Sequence, residues 1–170
     1  MASDKTVGLI EAKDEHFAWM LEGNFAGSRF GLTLSPGGVD APSTLELLRK
    51  MTGELLQQYG RGTWLVIEGS EVVGLCGYKR PPDSNGTVEI GYGIAASRRG
   101  RGLATRAVTE LLRCAATEPA IRVVTAETSK DNPASLRVLV KIGFEPTGTR
   151  VDREDGELIL WRRTIIPCQS

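Results

Sequence analysis

The sequence predicts a mixed α/β domain in which a central, mostly antiparallel sheet of six or seven strands carries helices on its faces. Short apolar runs of strand length alternate with longer stretches of helical periodicity, and turns rich in Gly, Pro and Asn separate them. Two successive pairs of apolar runs are joined by short turns, which is typical of antiparallel hairpins. The chain of 170 residues has the length of one domain, so residues 1–170 are predicted to form a single unit.

The N-terminal part is predicted to contain one strand and two helices around a long loop. In chain order these are strand 6–11, helix 14–22, loop 23–41 and helix 42–60. Ser43 and Glu46 have capping-box spacing at the start of the second helix. The loop is rich in Gly, Ser and Pro, yet it carries four apolar side chains, Phe25, Phe30, Leu32 and Leu34. These side chains either close the edge of the core or line a site, and the sequence is compatible with both.

The rest of the chain is predicted to alternate strands and helices. The elements are strands 63–68, 72–78 and 87–95, helix 103–117, strand 121–127, helix 132–143, and strands 144–149 and 157–163. Asn132 is the expected N-cap of the last helix, because Pro133 suits the first helical position. Gly143 is the expected C-terminal cap.

Strand 87–95 presents two different faces. Large apolar side chains share one face: Val88, Ile90, Tyr92 and Ile94. The other face is nearly bare of side chains and carries Glu89, Gly91, Gly93 and Ala95. A bare face leaves room for a ligand, or for the close packing of a helix.

Composition excludes several classes of function. Lys and Arg total 21, as do Asp and Glu, and this zero net charge argues against a dedicated nucleic-acid or membrane-surface binder. No apolar stretch approaches the ~20 residues that span a bilayer, and the N-terminus lacks a signal-peptide pattern, so we expect a cytoplasmic protein. Cys76, Cys114 and Cys168 are widely spaced, which predicts neither a disulfide framework nor a metal site. His16 is the single histidine and lies in a predicted helix, which disfavours a catalytic triad.

The segment SRRGRGLAT at residues 97–105 has the features of an anion site. It leads into a predicted helix, whose first amides have no intrahelical partners and whose dipole adds positive charge. Gly100 and Gly102 allow the backbone to approach phosphate oxygens. Arg98, Arg99 and Arg101 add further positive charge around it.

Other interpretations of this segment fit less well. A P-loop requires a Gly-Lys-Ser/Thr ending, which is absent. The nominal G-x-G-x-x-A match at residues 91–96 continues a strand, and the next helix begins too late for a dinucleotide fold. An RGG-type nucleic-acid contact lacks interleaved aromatic residues. A solvated basic loop stays open as an alternative, although it leaves the glycine spacing unexplained.

Three blocks of the sequence resemble the GNAT superfamily of acyl-CoA-dependent N-acetyltransferases. Arg99-x-x-Gly102-x-Ala104 matches the R/Q-x-x-G-x-G/A signature of that superfamily. EIGYGI at 89–94 and NPASLRVLVKIGF at 132–144 are similar to blocks of the branch that contains ribosomal-protein N-terminal-amine acetyltransferases. The resemblance is strongest over residues 60–165 and implies a GNAT-like sheet with a splay between two parallel strands.

The resemblance implies acetyl-CoA as cosubstrate, with its pyrophosphate on the glycine-arginine loop and its pantetheine arm in the splay. Main-chain groups near Ile94 and Ala96 are expected to pair with the pantetheine arm, and Asn132 is expected to bond it. The implied loop residues are Arg99, Gly100, Arg101, Gly102, Leu103, Ala104 and Thr105.

Acetyl transfer to an amine needs a group that takes the proton of the ammonium. The resemblance implies a working glutamate at positions that match Glu127 and Glu89. We expect Glu127 to act as the base and Glu89 to orient the amine, with exchanged or purely structural roles as the alternatives. Many relatives carry a tyrosine as proton donor where this chain has Leu139, so Ser135 is the expected donor, with helix capping as its alternative.

The expected function is therefore acetyl transfer to a primary amine, either a protein N-terminus or a small molecule. The loop 23–41 and the acidic hairpin near residues 152–157 are expected to form the acceptor mouth, and acidic residues suit a cationic acceptor. A solvated turn is the alternative explanation of those charges. A catalytically silent acyl-CoA-binding module is the alternative function. No nucleic-acid or membrane partner is expected, and a homodimer is compatible with the sequence.

Overall fold

The computed structural model describes residues 6–167, so Cys168 lies outside the described residues. The elements within this range are β1 (Val7–Glu11), α1 (Asp14–Leu21), β2 (Ser28–Arg29), β3 (Leu32–Leu34), α2 (Pro42–Gln58), β4 (Thr63–Glu68), β5 (Glu71–Tyr78), β6 (Thr87–Ile94), α3 (Leu103–Ala116), β7 (Val123–Ser129), α4 (Pro133–Lys141), β8 (Glu145–Asp152) and β9 (Gly156–Thr164). A short 3₁₀ turn, Ala96–Arg98, separates β6 from α3.

Seven strands form the main sheet in the order β1-β4-β5-β6-β7-β9-β8. All neighbours along this path are antiparallel except β6 and β7, which are parallel. The predicted mixed sheet with flanking helices is therefore confirmed. The pairing of β7 continues to Ser129, while Ile121 lies in a turn where its amide donates to Glu118. The strand predicted at 121–127 is therefore displaced by two residues.

The predicted loop 23–41 contains two further short strands. β3 pairs in parallel with the start of β5, and β2 pairs with β3. Leu32 and Leu34 alternate on β3 and are both buried in the core, whereas Phe25 and Phe30 are exposed. Strands of two and three residues are too short to produce a recognisable alternating pattern in the sequence.

Two apolar layers cover the two faces of the sheet. On one face, α3 and α4 pack on residues of β6 and β7, with Leu111, Val124 and Leu139 fully buried. On the other face, α1 and α2 pack on β4 and β5 through Phe17, Leu45 and other buried side chains. Among residues 6–167, no helix is both long enough and apolar enough to cross a membrane.

The two helix starts with caps predicted from the sequence differ in the structure. Asn132 caps α4 as predicted, since its side chain accepts a hydrogen bond from the Ser135 amide at 3.2 Å and Pro133 follows it. The capping box predicted at Ser43 and Glu46 is wrong, because the N-cap of α2 is Ala41 and its side chain accepts no hydrogen bond. Proline at the first position of α2 fixes the backbone there and places Ser43 inside the helix.

The parallel pair β6 and β7 is joined over only half its length. Thr87 to Ile90 pair with Val123 to Ala126, and no pairing continues beyond these residues. β6 extends to Ile94 against β5, while β7 extends to Ser129 against β9. The two strands therefore diverge, which confirms the predicted splay and leaves an opening between residues 91–94 and 127–129.

Candidate active site

The β6 edge of the opening presents main-chain groups of Tyr92 and Ile94. On the opposite side of β6, the Glu89 carbonyl accepts from the Lys79 amide and the Ala95 amide donates to Val73. Main-chain groups point alternately to the two sides of a strand. Those of Tyr92 and Ile94 therefore face away from β5 and into the opening, where β7 no longer pairs with them. An extended ligand with amide groups can occupy the position of the absent strand.

The loop predicted to bind phosphate lies just beyond this edge. Gly100 and Gly102 have φ values of 76° and 74°, a left-handed conformation that only glycine adopts without strain. Gly102 is the N-cap of α3, and the first intrahelical hydrogen bond runs from Arg106 to its carbonyl at 3.3 Å. The amides of Leu103, Ala104 and Thr105 precede that bond, so the helix leaves them free to bind an anion.

The three arginines of this loop do different things. Arg98 donates two hydrogen bonds to Glu71, at 2.7 and 2.9 Å, and Arg101 donates to Glu68 at 2.8 Å. Both carboxylates flank the tight turn between β4 and β5, so these two arginines attach the loop to that hairpin. Arg99 is exposed and has no carboxylate partner among residues 6–167. Its Nε lies 3.3 Å from the Ile94 carbonyl, at the rim of the opening.

Glu71 also connects this loop to the segment that follows β3. The hydroxyl of Ser35 lies 2.9 Å from Glu71, and Ser35 is fully buried immediately after β3. The guanidinium of Arg98 and, to a smaller extent, this hydroxyl lower the pKa of Glu71, so the carboxylate stays charged at neutral pH. A partly buried set of hydrogen bonds thus joins the segment after β3 to the loop predicted to bind phosphate.

Glu89 and Glu127 lie on one face of the sheet, beside the point where the strands diverge. Glu89 pairs in register with Thr125, and Glu127 lies two residues further along the same face. The Lys79 ammonium lies 3.0 Å from Glu89, and Arg150 donates to Glu127 at 2.9 Å. The hydrogen bond from Arg150 lowers the pKa of Glu127. Both carboxylates are therefore near the opening, and both have a cationic partner.

The face of β6 predicted to be bare is partly covered. The side chain of Lys79 passes 3.3 Å from the position that a Cβ on Gly91 would occupy. The carboxylate of Asp40 lies 3.8 Å from the corresponding position at Gly93. Lys79 passes Gly91 more closely than a Cβ ordinarily allows, whereas the Asp40 carboxylate lies at an ordinary contact distance from a Cβ at Gly93. Charged side chains therefore cover part of this strip, which is not an open surface.

Ser135 and Tyr92 meet on the α4 side of the opening. Ser135 lies in the first turn of α4, and its main-chain carbonyl is 3.5 Å from the Tyr92 hydroxyl. Burial raises the pKa of Tyr92, which keeps this hydroxyl protonated. Leu139, one turn further on, is fully buried in the core. The structure thus brings Ser135 and a tyrosine from β6 together, although the tyrosine of many relatives is absent from α4.

The acidic hairpin between β8 and β9 lies at the same end of the sheet. Lys130, just after β7, donates its amide to Glu157 and places its ammonium 3.1 Å from the Glu157 carboxylate. Asp152 accepts hydrogen bonds from the amides of Glu154 and Asp155, so it shapes the turn. Two of the four acidic residues are therefore engaged within the hairpin region.

Sequence patterns did not indicate Asp40, Lys79 and Arg150, which contribute charge to the cleft. Arg150 lies 23 residues from Glu127 in the chain, and Lys79 faces Glu89 across the pairing of β5 with β6, so periodic sequence patterns do not report these contacts. For Tyr92 a signal was present, since it lies in the block EIGYGI, but its alternation with Val88 and Ile90 indicated only a core position.

Comparison with known proteins identifies the family. Residues 9–145 match the acetyltransferase (GNAT) domain, which is well over half of the chain. The chain belongs to the GNAT acetyltransferase family. This GNAT chain is 32% identical over 87 residues to the uncharacterized N-acetyltransferase YjdG of Bacillus subtilis, a match that covers 50% of this chain and 52% of that protein. It spans about half the length of the curated relatives it matches.

Solved structures share the fold of this GNAT chain along almost its whole length. RimL, a ribosomal L7/L12 alpha-N-protein acetyltransferase in complex with coenzyme A, has a TM-score of 0.72 at 21% identity, with 95% of this chain and 96% of RimL covered. The aminoglycoside acetyltransferase AAC(6')-Ib in complex with coenzyme A has a TM-score of 0.68 at 19% identity, with 94% and 95% covered. Both identities are below a quarter, so these likenesses establish the fold.

Proposed function

We propose that this protein transfers the acetyl group of acetyl-CoA to a primary amine. The observation that carries the proposal is the divergence of β6 and β7 directly before the start of α3. The opening offers unpaired main-chain groups, and the helix start offers free amides in a glycine-rich turn. The pantetheine arm of coenzyme A carries amide groups and ends in a diphosphate, so its chemistry fits these two features in order.

Several residues of this chain would hold the cosubstrate. Main-chain groups of Ile94 and Ala96 serve the pantetheine arm, together with the amide side chain of Asn132. Arg99 and the loop amides serve the diphosphate, and the helix dipole of α3 adds to their attraction. The implied set is Arg99, Gly100, Arg101, Gly102, Leu103, Ala104 and Thr105. Arg101 contributes chiefly by fixing the loop, because Glu68 already binds its guanidinium.

The carboxylates beside the opening serve the amine. An alkylammonium with a pKa of about 10 must lose a proton before its nitrogen attacks the thioester carbon. Glu127 is the residue proposed to take this proton, through water. Arg150 keeps its carboxylate ionised and able to accept a proton, but the lowered pKa also makes it a weaker base. Glu89, between Lys79 and Arg80, orients the amine. The new C–N bond then forms, the C–S bond breaks, and the electron pair leaves with the sulfur as thiolate.

The departing thiolate takes its proton from the α4 side of the opening. Ser135 has its hydroxyl in the first turn of α4, at the end of the sheet where the strands diverge. Tyr92 positions this turn through its contact with the Ser135 carbonyl. A thiolate is a good leaving group, so the loss of this donor slows the reaction less than the loss of the base.

The test measures thiol release and product mass together. Acetyl-CoA is incubated with the protein and, in turn, a peptide with a free α-amino group, an aminoglycoside, spermidine and phenethylamine. The first two represent the acceptor types in the names of RimL and AAC(6')-Ib. An acetylated amine confirms the proposal. Tight binding of acetyl-CoA without acetylation of any amine would instead identify a silent acyl-CoA-binding module, and absence of binding would overturn both.

A further inference from the structure

Asp40 is held rigidly beside the opening between β6 and β7. Val39, which precedes it, is buried in the layer formed by α1 and α2, and Ala41, which follows it, is the N-cap of α2. The Asp40 Oδ1 also accepts a hydrogen bond from the Ala41 amide at 2.7 Å. Its backbone is therefore fixed on both sides, although its side chain is exposed.

The second carboxylate oxygen, Oδ2, lies over the diverging part of β6. It is 3.8 Å from the position that a Cβ on Gly93 would occupy. Gly93 pairs with Leu75, a residue of the α1 and α2 layer, so both lie on the face that also carries Glu89. Asp40 thus approaches the opening from the side opposite to α3 and α4, which carry the proposed coenzyme A contacts.

Asp40 differs from the other carboxylates of the cleft in its charge environment. Glu89 has Lys79 and Arg80 as cationic partners, and Glu127 has Arg150. Within residues 6–167, no cationic side chain lies within 4.0 Å of Asp40. It is therefore the carboxylate at the cleft whose charge the protein itself does not neutralise.

An aromatic ring packs against the backbone two residues before Asp40. The Cζ atom of Phe25 is 3.0 Å from the position that a Cβ on Gly38 would occupy, two residues before Asp40. Gly38 has φ of 91°, so this close approach and the backbone both require glycine. Phe25 is 38% exposed, which leaves part of its ring available to a ligand. A carboxylate on a segment whose backbone contacts a partly exposed aromatic ring suits an ammonium attached to an apolar group.

We propose that Asp40 binds the ammonium group of the acceptor and sets the preference of the enzyme for alkylammonium substrates. The inference rests on the proposed function and names the acceptor class of that same site. Asp40 acts by attraction and placement, while proton removal stays with Glu127. Its loss therefore weakens acceptor binding and leaves the chemical step and acetyl-CoA binding nearly unchanged.

The test compares Asp40→Asn with Glu54→Gln, a matched control that removes one exposed carboxylate from α2. Acceptor kinetics are measured at saturating acetyl-CoA with the amines that the parent acetylates. We expect Asp40→Asn to raise the KM for these amines about tenfold, the range for a hydrogen bond to a charged group, with kcat changed less than about threefold. The parent KM should also rise with salt, and this dependence should flatten in Asp40→Asn only.

A binding measurement tests the role of Asp40 independently of whether the enzyme acetylates the amine. Phenethylamine and spermidine are titrated by calorimetry into parent and variants saturated with coenzyme A. Binding to Asp40→Asn that is about tenfold weaker than binding to the parent and to Glu54→Gln supports the inference. It does so even if no amine is acetylated, a result that would overturn the proposed function alone. Equal binding by all three proteins, or no binding to the parent, overturns the role of Asp40.

Discussion

Replacing Gly102 by valine tests the phosphate loop, because two separate consequences follow from its geometry. Gly102 has φ of 74° and ψ of 12°, and the space around its missing Cβ contains only the Arg106 guanidinium, at 3.7 Å. The side chain therefore fits the free protein sterically but strains its backbone. It also stands at the helix start, between the free amides of α3 and any phosphate that approaches them.

The losses of stability and of affinity have separate causes. An L-residue in the left-handed region costs about 1–2 kcal/mol, and β-branching adds to this. For a chain of this length, each 1 kcal/mol lowers the midpoint of thermal unfolding by about 2–4 °C, so the strain predicts a fall of about 2–8 °C. Blocking the phosphate predicts at least a tenfold rise in the Kd of acetyl-CoA, which corresponds to about 1.4 kcal/mol.

Calorimetric titration of acetyl-CoA at 25 °C measures the affinity, and circular dichroism confirms that each protein is folded. Gly143→Val is the matched control, since Gly143 has φ of 90°, has open space where a Cβ would lie, and follows the C-terminal end of α4. It should lose similar stability and keep its affinity. Ala104→Glu, which carries no such backbone strain, should lose affinity through repulsion of the phosphate. Unchanged affinity in folded Gly102→Val and Ala104→Glu would refute the assignment of the loop.

Two further predictions concern protons. Glu127→Gln should lower the rate about 10²–10⁴-fold at neutral pH, and part of the rate should return as the pH approaches the amine pKa. Glu89→Gln should instead raise the acceptor KM at every pH. The pH profiles of both variants measure this, and the reverse pattern would exchange their roles. His16 is buried, which lowers its pKa, and its Nδ1 accepts a hydrogen bond from the Lys13 amide at 2.9 Å, so the folded state needs the neutral ring. The free energy of unfolding is therefore unaffected by His16 above the unfolded-state pKa of about 6.5, and it decreases as the pH falls below that value. Denaturant unfolding at pH 7 and pH 5 should therefore show a smaller acid loss in His16→Gln than in the parent, and equal losses would contradict the interpretation.

The fold was predictable because its signals are local. Alternation along strand 87–95, the Asn132-Pro133 start of α4 and the tight hairpin turns each act over a few residues. The splay and the phosphate loop followed from a family resemblance, and the loop could also be argued from glycine spacing and helix-start chemistry. The short strands β2 and β3 were not predicted, since a parallel pairing with β5 determines them.

The side chains of the cleft depend on contacts between distant segments, which the sequence does not report. Glu127 and Glu89 were predicted at the site, but their partners Arg150 and Lys79 change what each carboxylate can do. The approach of Asp40 to Gly93 depends on how α2 docks on the sheet, and no periodic pattern contains that information. The catalytic roles of Glu127, Glu89 and Ser135 stay predictions.

The hydrogen-bonded contact among Arg98, Glu71 and Ser35 has a thermodynamic consequence for substrate binding. It links the loop proposed to bind the cosubstrate with the segment that leads to Asp40, so ordering one end limits the freedom of the other. A coupling free energy between two binding sites acts equally in both directions. If bound cosubstrate increases the affinity for the acceptor by some factor, the acceptor must increase the affinity for cosubstrate by the same factor, whichever molecule arrives first.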